Sequence, residues 1–249
     1  MKIRAMLIAV SSLFLLHTAQ SQELKPIYYQ DGNQKLKGLI TDNTGAHQPG
    51  VLILPAWMGI DEEAKTAALD LARKGFKVFI ADIYGEGNTP SSFAEAAKIS
   101  SSYKTNFLAY QTRIQLALEQ LKKAGADASR LAVIGYCFGG TGALEAARAQ
   151  LPVKGVVSIH GGLGKSPDRP NGALSASILI EHPADDESVS QEDIKNLMKE
   201  MNEAQADWQM IYYAHSKHTF TNPASQDYNP VMAHRAWLHT IMFLQEMLK

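Results

Sequence analysis

The chain has 249 residues, with 24 Lys and Arg against 25 Asp and Glu, and a formal net charge of −1 at pH 7. Its hydrophobic fraction of 45% is enough for a packed core and argues against a disordered or collagen-like chain. The balanced charge gives no electrostatic basis for nucleic-acid binding. A single cysteine excludes an intramolecular disulfide and any zinc or iron–sulfur site built from several cysteines.

The first residues, 1–21, have the pattern of a secretory signal peptide. Two basic residues precede a largely apolar run, 5–16, and Ala19-Gln20-Ser21 offers small residues at the −3 and −1 positions of a cleavage site. The apolar run is shorter than the about 20 residues that a transmembrane helix needs, although an uncleaved membrane anchor is the alternative. We therefore expect residues 22–249 to be exported to the periplasm or the extracellular space, free of the membrane after cleavage.

Residues 22–249 are expected to form one domain in which strand and helix patterns alternate. The first two strands, 26–30 and 36–41, flank Asp31-Gly32-Asn33, a turn sequence typical of an antiparallel hairpin. Later strands are short continuous apolar runs, as expected for strands buried on both faces of a sheet. They are predicted at 51–54, 76–81, 131–135, 153–159, 178–180 and 208–213, and helices at 61–74, 103–123, 140–150, 191–204 and 230–248.

This alternation predicts the α/β fold class, with a mostly parallel central sheet, helices on both of its faces and an N-terminal antiparallel hairpin. In such a sheet, functional groups gather in the loops at the carboxyl ends of the strands. Catalytic or binding residues are therefore expected in the loops that follow the predicted strands.

The clearest of these loops follows the strand 131–135 and reads Gly135-Tyr-Cys-Phe-Gly-Gly140. A G-x-C-x-G-G sequence between a strand and a helix is the pattern of a nucleophile elbow with cysteine in place of serine. Because the turn is tight, the positions two before and two after the nucleophile must be small, and the following helix directs its positive end at a thiolate. Cys137 is the predicted nucleophile, with the Phe138 N–H as an oxyanion donor. The alternative is a buried structural cysteine.

A cysteine nucleophile needs a base, and the base needs an acid that orients it, in the chain order nucleophile, acid, histidine. The loop after the seventh predicted strand offers Asp185 or Asp186, and the loop after the eighth offers His215 or His218. Taken singly, each is by default a helix cap or a solvated loop residue. Their order and their positions at strand ends together favour a Cys-His-Asp triad, with the choice within each pair left open.

Two further features concern the surroundings of the nucleophile. The loop after the strand 51–54 reads Pro55-Ala-Trp-Met-Gly59, and the backbone N–H of Trp57 is the candidate for a second oxyanion donor. Several aromatic side chains near strand ends suggest an apolar or aromatic pocket, although such residues are also ordinary packing residues. The candidate pocket residues are Trp57, Tyr84, Tyr136, Phe138 and Phe220, with His160 as a further candidate at the end of its strand.

Together these segments resemble the dienelactone hydrolase family of α/β-hydrolases, from about residue 25 to the C-terminus. The resemblance implies an α/β-hydrolase fold and the hydrolysis of small-molecule esters or lactones without a metal or an organic cofactor. The segments that carry it are Val51-Leu-Ile-Leu-Pro-Ala-Trp-Met-Gly59, Asp82-Ile-Tyr-Gly85, Gly135-Tyr-Cys-Phe-Gly-Gly140, His182-Pro-Ala-Asp-Asp-Glu-Ser-Val189 and Tyr213-Ala-His-Ser-Lys-His-Thr-Phe220.

The resemblance selects Asp186, because the family's acid precedes x-x-Val, and His218, because its histidine lies two residues before Phe. Many members have a Glu just before the oxyanion residue, which holds the resting cysteine in check, and this chain has Ala56 there. Members that act on dienelactone have arginines that reach the substrate carboxylate, at the positions of Glu86 and Asn222. The loss of both cations argues for neutral substrates, with Glu86 at the pocket.

These inferences predict a hydrolase that forms a thioacyl intermediate on Cys137. A catalytically degenerate binding protein on the same fold is the main alternative, which Ala56 favours. A thiol redox protein would need a resolving cysteine that the chain lacks. A metallohydrolase would have to use His182, His215 and His218, whose spacing matches no known metal motif. The sequence gives no indication of the oligomeric state.

Overall fold

The computed structural model describes residues 22–43, 45 and 47–249, and the predicted signal peptide, 1–21, lies outside the described residues. Within these ranges, no helix combines the length and the hydropathy of a membrane-spanning segment. The strands are β1 (Leu24–Asp31), β2 (Gln34–Thr41), β3 (Gln48–Leu54), β4 (Lys77–Ile80), β5 (Ala126–Tyr136), β6 (Gly155–Ile159), β7 (Ser177–Pro183) and β8 (Trp208–Tyr213). The helices are α1 (Glu62–Arg73), α2 (Phe93–Thr105), α3 (Phe107–Lys123), α4 (Phe138–Arg148), α5 (Gln191–Glu203) and α6 (Pro230–Met247).

The described strands form one sheet in the order β1-β2-β4-β3-β5-β6-β7-β8. β1 and β2 are an antiparallel hairpin in which Asp31 lies opposite Gln34, and β2 is also antiparallel to β4. All the pairs from β4 to β8 are parallel. The predicted fold class, a mostly parallel sheet with an N-terminal antiparallel hairpin, is therefore confirmed.

Helices cover both faces of the sheet, because its central strands are apolar at successive positions. In β3, Val51 and Ile53 belong to the core beneath α1 and α6, whereas Leu52 and Leu54 belong to the core beneath α3, α4 and α5. All four side chains are fully buried, and burial of each contributes about 1.5–3 kcal/mol. Since successive side chains of a strand point to opposite faces, two apolar cores require a continuous apolar run.

The predicted helix 103–123 is wrong at its start, because the structure has two helices there, α2 and α3, that meet at Asn106. The Asn106 side chain accepts a hydrogen bond from the Ala109 N–H at 3.3 Å and caps α3. The sequence prediction contains no α2, whose buried face is narrow. The sequence feature that marks the start of α2 is the capping pattern Ser92-x-x-Glu95. In it the Ser92 hydroxyl accepts a hydrogen bond from the Glu95 N–H at 3.2 Å.

The helix predicted at 140–150 begins two residues earlier, since Phe138 is the first residue of α4. A single residue, Cys137, therefore connects β5 to α4, and it lies at the positive end of the helix dipole. The carboxyl ends of β3, β5, β7 and β8 lie along the same edge of the sheet because these strands are parallel. This edge carries the candidate site.

Candidate active site

Cys137 has a backbone conformation that residues other than glycine rarely adopt. Its φ is 53° and its ψ is −113°, a conformation that costs on the order of 1–3 kcal/mol. Its N–H donates to the carbonyl of Ile159 at 3.0 Å and to Nδ1 of His160 at 3.1 Å. These hydrogen bonds help to hold the strained turn, in which the Cys137 side chain remains partly exposed.

The glycines on either side of Cys137 are required by close approaches of the backbone. A Cβ atom at Gly135 would collide with the carbonyl of Gly139, and a Cβ atom at Gly139 would collide with the carbonyl of Leu54. The turn is thus pressed against its own helix and against the end of β3. This packing brings the loop that follows β3 next to Cys137.

The structure brings the three predicted triad residues together. His218 Nε2 lies 3.1 Å from Sγ of Cys137, and His218 Nδ1 lies 2.8 Å from Oδ2 of Asp186. Asp186 is buried at the end of β7, whereas its neighbour Asp185 is exposed. His215, the other candidate base, is also exposed. The geometry therefore joins Asp186 and His218, rather than their neighbours, to Cys137.

Ser188 is a part of this arrangement that the sequence reasoning does not identify. Its hydroxyl donates to Oδ1 of Asp186 at 2.6 Å, its backbone N–H donates to the same oxygen at 2.9 Å, and its Oγ lies 2.9 Å from Nδ1 of His218. Asp186 thus uses one oxygen for Ser188 and the other for His218. The sequence feature that could have indicated this role of Ser188 is the Asp-x-Ser spacing. It is typical of a turn in which an aspartate side chain accepts a hydrogen bond from the backbone N–H two residues later.

The electrostatics of the site favour an ionised pair. Burial acts to raise the pKa of Asp186, but the hydrogen bonds from His218 and Ser188 outweigh it and lower the pKa to about 2. Burial acts to lower the pKa of His218, but the hydrogen bonds and charges of Asp186 and Cys137 raise it to about 10. At neutral pH the site therefore holds a carboxylate and an imidazolium. The imidazolium lies 3.1 Å from Sγ of Cys137.

The two predicted oxyanion donors lie on neighbouring parts of the sheet edge. Phe138 is in the first turn of α4, where helix N–H groups have no acceptor within the helix. Trp57 lies in the loop after β3, which turns tightly as the Gly59 N–H donates to the carbonyl of Ala56 at 3.0 Å. The Tyr84 hydroxyl donates to the carbonyl of Trp57 at 2.8 Å and restrains that residue. β3 and β5, which these residues follow, are adjacent strands.

Two of the predicted pocket residues, Tyr84 and Glu86, lie together beside this loop. Both line a cavity of about 210 Å³ that Ala56 and Phe138 also line. The Tyr84 ring stacks on the Phe138 ring with centroids 5.6 Å apart, and Glu86 is exposed. A negative charge and an aromatic surface therefore border the same small cavity.

Three further predicted pocket residues, Tyr136, Phe220 and His160, lie outside that cavity. Tyr136 is buried on the α1 and α6 face of the sheet, where it lines a separate cavity of about 480 Å³. Phe220 is fully buried and stacks on Tyr213. His160 is 1% exposed, bonds the backbone of Cys137 and lies edge-on to His218, with ring centroids 5.4 Å apart. Phe220 is therefore a packing residue, His160 helps to position the Cys137 backbone, and Tyr136 borders a cavity outside the triad.

Phe93, at the start of α2, adds an aromatic surface that the sequence reasoning does not identify. Its side chain is 71% exposed and stacks on Trp57, with ring centroids 5.7 Å apart and an interplanar angle of 11°. A large apolar side chain with this exposure therefore lies next to the loop that follows β3. Because the helix that carries it is absent from the sequence prediction, nothing in the local pattern points to Phe93.

Metal ligation was one of the alternatives considered from the sequence. In the described part of the chain, no three His, Cys, Asp or Glu side chains are arranged to hold a metal ion. Of the three histidines considered, His182 is buried against the Tyr212 ring, His215 is exposed, and His218 bonds Asp186 and Cys137.

Comparison with known sequences gives a consistent picture. A model of the dienelactone hydrolase family matches residues 36–248. The chain is 27% identical over 226 residues to a protein of Bradyrhizobium sp that is named probable 2-oxo-3-(5-oxofuran-2-ylidene)propanoate lactonase. That alignment covers 86% of this chain and 90% of the relative.

Solved structures with the same architecture include a dienelactone hydrolase-like promiscuous phosphotriesterase, P91, from metagenomic libraries. It is 29% identical, with a TM-score of 0.85, over 92% of this chain and all of its own. An acylaminoacyl peptidase of Pyrococcus horikoshii has a TM-score of 0.72 at 14% identity, over 93% of this chain and 43% of its own. The second likeness concerns the fold alone.

Proposed function

The chain belongs to the dienelactone hydrolase family and is a carboxylic ester or lactone hydrolase, and we propose that it acts through a triad of Cys137, His218 and Asp186 and a thioacyl intermediate. The observation that carries this proposal is the unbroken contact from Sγ to imidazole to carboxylate, at 3.1 Å and 2.8 Å. Cysteine, base and orienting acid in hydrogen-bond reach are the requirements of nucleophilic acyl transfer.

In the first half of the reaction, the Cys137 thiolate attacks the carbonyl carbon and the carbonyl oxygen becomes an oxyanion. The backbone N–H groups of Phe138 and Trp57 donate to that oxygen, and a donor of this kind lowers the barrier by about 3–4 kcal/mol. The intermediate then collapses with cleavage of the C–O bond. The His218 imidazolium gives its proton to the departing alkoxide, which leaves a neutral imidazole and a thioester.

In the second half, water attacks the thioester while neutral His218 takes its proton. The residue can change roles because the thioester has no charge on sulfur. The attraction to Cys137, which helps to raise the pKa of His218 in the resting site, is then lost. Collapse of the second intermediate releases the carboxylic acid and restores the thiolate–imidazolium pair. Asp186, held by Ser188, keeps Nδ1 protonated throughout.

The substrates are proposed to be neutral, small esters or lactones with good leaving groups, such as aryl esters and enol lactones. A thiolate is a good nucleophile for such groups, whereas an amine leaving group must be protonated and is expelled less readily. The cavity beside the loop that follows β3 is lined by Glu86, Asp82 and Lys37, so that carboxylates outnumber cations there and an anionic group is disfavoured. The stacked pair of Phe93 and Trp57 offers an apolar surface to an aryl group.

The proposal is tested with p-nitrophenyl acetate and single substitutions. Cys137→Ala and His218→Ala are each expected to lower kcat at least 10³-fold. When residues act as one catalytic unit, the loss of a single member removes most of the rate enhancement of the whole unit. His215→Ala, in the same loop but exposed, is the matched control and should keep wild-type kcat. Undiminished turnover by Cys137→Ala would refute the triad. Because Cys137 is the only cysteine in the chain, alkylation by iodoacetamide reports on this thiol alone.

We also propose that residues 1–21 direct export and are removed, so that the mature enzyme is periplasmic or extracellular. The support is the basic start, apolar run and small-residue cleavage site of the sequence. N-terminal sequencing of the full-length chain expressed in a bacterium, together with cell fractionation, is the test. An enzyme that keeps Met1 and stays in the cytosol would refute the proposal.

A further inference from the structure

A second cavity, of about 480 Å³, lies between α1, α6 and the sheet, outside the catalytic triad. Tyr136, Ile159 and Trp237 form apolar and aromatic parts of its wall. Its volume is within the roughly 300–1,000 Å³ of small-molecule sites. The wall also includes four carboxyl side chains but, among the described residues, one cationic side chain; these charged residues are Glu62, Glu63, Asp70, Glu181 and Arg73.

Two of the four carboxylates already have cationic partners. Glu62 pairs with Lys65 at 2.6 Å, and Asp70 pairs with Arg73 at 3.2 Å. Trp237 Nε1 also donates to Asp70 at 2.7 Å, which turns the indole ring into the wall of the cavity. The single cation of the wall is therefore committed to Asp70.

Glu181 and Glu63 have no such partner among the described residues. Glu181 is 1% exposed, and its Oε1 accepts a hydrogen bond from Thr240 at 3.0 Å, but its Oε2 has no hydrogen-bond partner among the described residues. The Tyr213 hydroxyl is near enough to affect the pKa of Glu181, and it lies 2.8 Å from Nδ1 of His239. Burial raises the pKa of Glu181, and it raises that of Glu63 to about 7 against a hydrogen bond from Thr221. An unpaired carboxyl group inside a protein costs stability, so a cavity that keeps two of them is suited to a ligand that pairs with them.

We propose that this cavity binds a small organic cation, with an ammonium group held by the carboxyl groups of Glu63 and Glu181 and an apolar or aromatic body against Tyr136 and Trp237. The chemistry is complementary at both ends of such a ligand. A bound ammonium group favours the ionised form of both carboxyl groups, and carboxylates in a partly buried site attract a cation more strongly than they do in water. The faces of Trp and Tyr rings also attract ammonium groups.

A chain of hydrogen bonds leads from this cavity to the nucleophile. The Cys137 N–H donates to Nδ1 of His160, so Nε2 carries the His160 proton and donates to Oγ1 of Thr221 at 2.8 Å. The Thr221 hydroxyl in turn donates to Oε1 of Glu63 at 2.6 Å. Burial, with a smaller effect of the nearby His218 charge, lowers the pKa of His160 to about 3 and keeps it neutral. A ligand at Glu63 therefore touches the end of a chain that positions the Cys137 backbone.

Calorimetry with the wild-type chain, titrated with benzylammonium chloride and with benzyl alcohol, tests the binding site. The two probes share the aromatic body and differ in charge. Benzylammonium is expected to bind in one-to-one stoichiometry and at least tenfold more tightly than benzyl alcohol. Glu181→Gln and Glu63→Gln should each weaken benzylammonium binding at least tenfold. Glu192→Gln, exposed on α5, is the matched control and should bind as wild type does.

A steric variant keeps the test decisive if Glu181→Gln does not fold. Ala233, on α6, lines the cavity and is only partly buried, so Ala233→Leu should fill the space and abolish benzylammonium binding while all carboxyl groups remain. Equal affinity for benzyl alcohol, or unchanged benzylammonium affinity in Glu63→Gln and Ala233→Leu, would overturn the proposal.

A kinetic measurement, which rests on the proposed function, separates this cavity from the substrate pocket. Because the triad side chains lie outside the cavity wall, benzylammonium is expected to change kcat for p-nitrophenyl acetate without raising KM. Competitive inhibition would place the cation in the substrate pocket and overturn the assignment. If the triad proposal fails and no turnover is seen, the calorimetric result still decides the binding site.

Discussion

The pKa of His218 is the quantity on which the proposed reaction cycle depends most directly. In the resting site it is raised from 6.5 to about 10, with burial opposing and the contacts with Asp186 and Cys137 prevailing. A shift of about 3.5 units corresponds to roughly 5 kcal/mol in favour of the imidazolium, at about 1.4 kcal/mol per unit. Removal of either partner should therefore weaken this stabilisation of the imidazolium and lower the pKa of His218.

Two perturbations remove the partners one at a time. Alkylation of Cys137 by iodoacetamide leaves a neutral thioether and therefore imitates the charge state of the thioacyl intermediate. Asp186→Asn keeps the shape of the side chain and removes its charge. Because the Ser188 N–H and hydroxyl hold the amide oxygen at the Oδ1 position, an NH2 group replaces the acceptor 2.8 Å from Nδ1. Each change is expected to lower the pKa of His218 by at least one unit, because burial lowers this pKa and one of the two contacts that raise it is removed.

The assay is a titration of histidine side chains by NMR with ¹⁵N-labelled protein, with His218 assigned by comparison with His218→Gln. Wild-type His218 should remain charged past pH 9, and its midpoint should fall in both perturbed forms. The resonances of His234, exposed on α6, are the internal control and should be the same in all samples. A wild-type midpoint near 6.5, or one that alkylation leaves unchanged, would refute the change of role between the two halves of the reaction.

Further predictions follow from single contacts. Ser188→Ala removes a hydrogen bond to a charged group, worth about 1.5–3 kcal/mol, and should lower kcat roughly 10–100-fold with KM little changed. Phe93→Ala should raise KM for aryl esters about 2–10-fold, from the roughly 0.5–1.5 kcal/mol of a stacked pair, and leave small alkyl esters unaffected. Glu86→Gln should raise kcat/KM severalfold for carboxylate-bearing esters only. Lys104 lines a cavity of about 520 Å³ that Ser188 also lines. Lys104→Met should leave kcat/KM unchanged for both neutral and carboxylate-bearing esters. A lower kcat/KM of this variant for carboxylate-bearing esters would contradict the proposed preference for neutral substrates. Because the pKa of His218 is raised, its stabilising contribution is complete below pH 6.5 and is lost as pH rises through about 10. Urea unfolding should show this decline, and His218→Gln should not.

The elbow could be predicted from the sequence because its requirements are local. Gly135 and Gly139 are needed where the backbone turns back on itself between β5 and α4, and both lie within two residues of Cys137. The central strands could also be predicted from the sequence, because a strand that is buried on both faces requires a continuous apolar run such as 51–54. Asp186 and His218 could be selected over their neighbours only through the resemblance to a family.

The position of α2 marks the limit of reasoning from periodicity. Its buried face consists of Ala96 and Ser100, which is too narrow to produce an apolar stripe, so its capping serine was the one local signal. Phe93, which this helix carries over Trp57, could not be placed without it. The consequence is that the sequence identifies the proposed nucleophile more readily than the aromatic surface beside it.

By itself, the sequence determined the order of the strands and of the described helices other than α2, the turn that carries Cys137, and the chain order of a cysteine, an acid and a histidine. Only the tertiary structure decided that Ser188 braces Asp186, and that Glu63 and Thr221, 158 residues apart, join His160 behind the nucleophile. The physical reason is that turns and apolar patterns act within a few residues. Contacts between strand ends depend instead on how the parallel strands line up across the sheet.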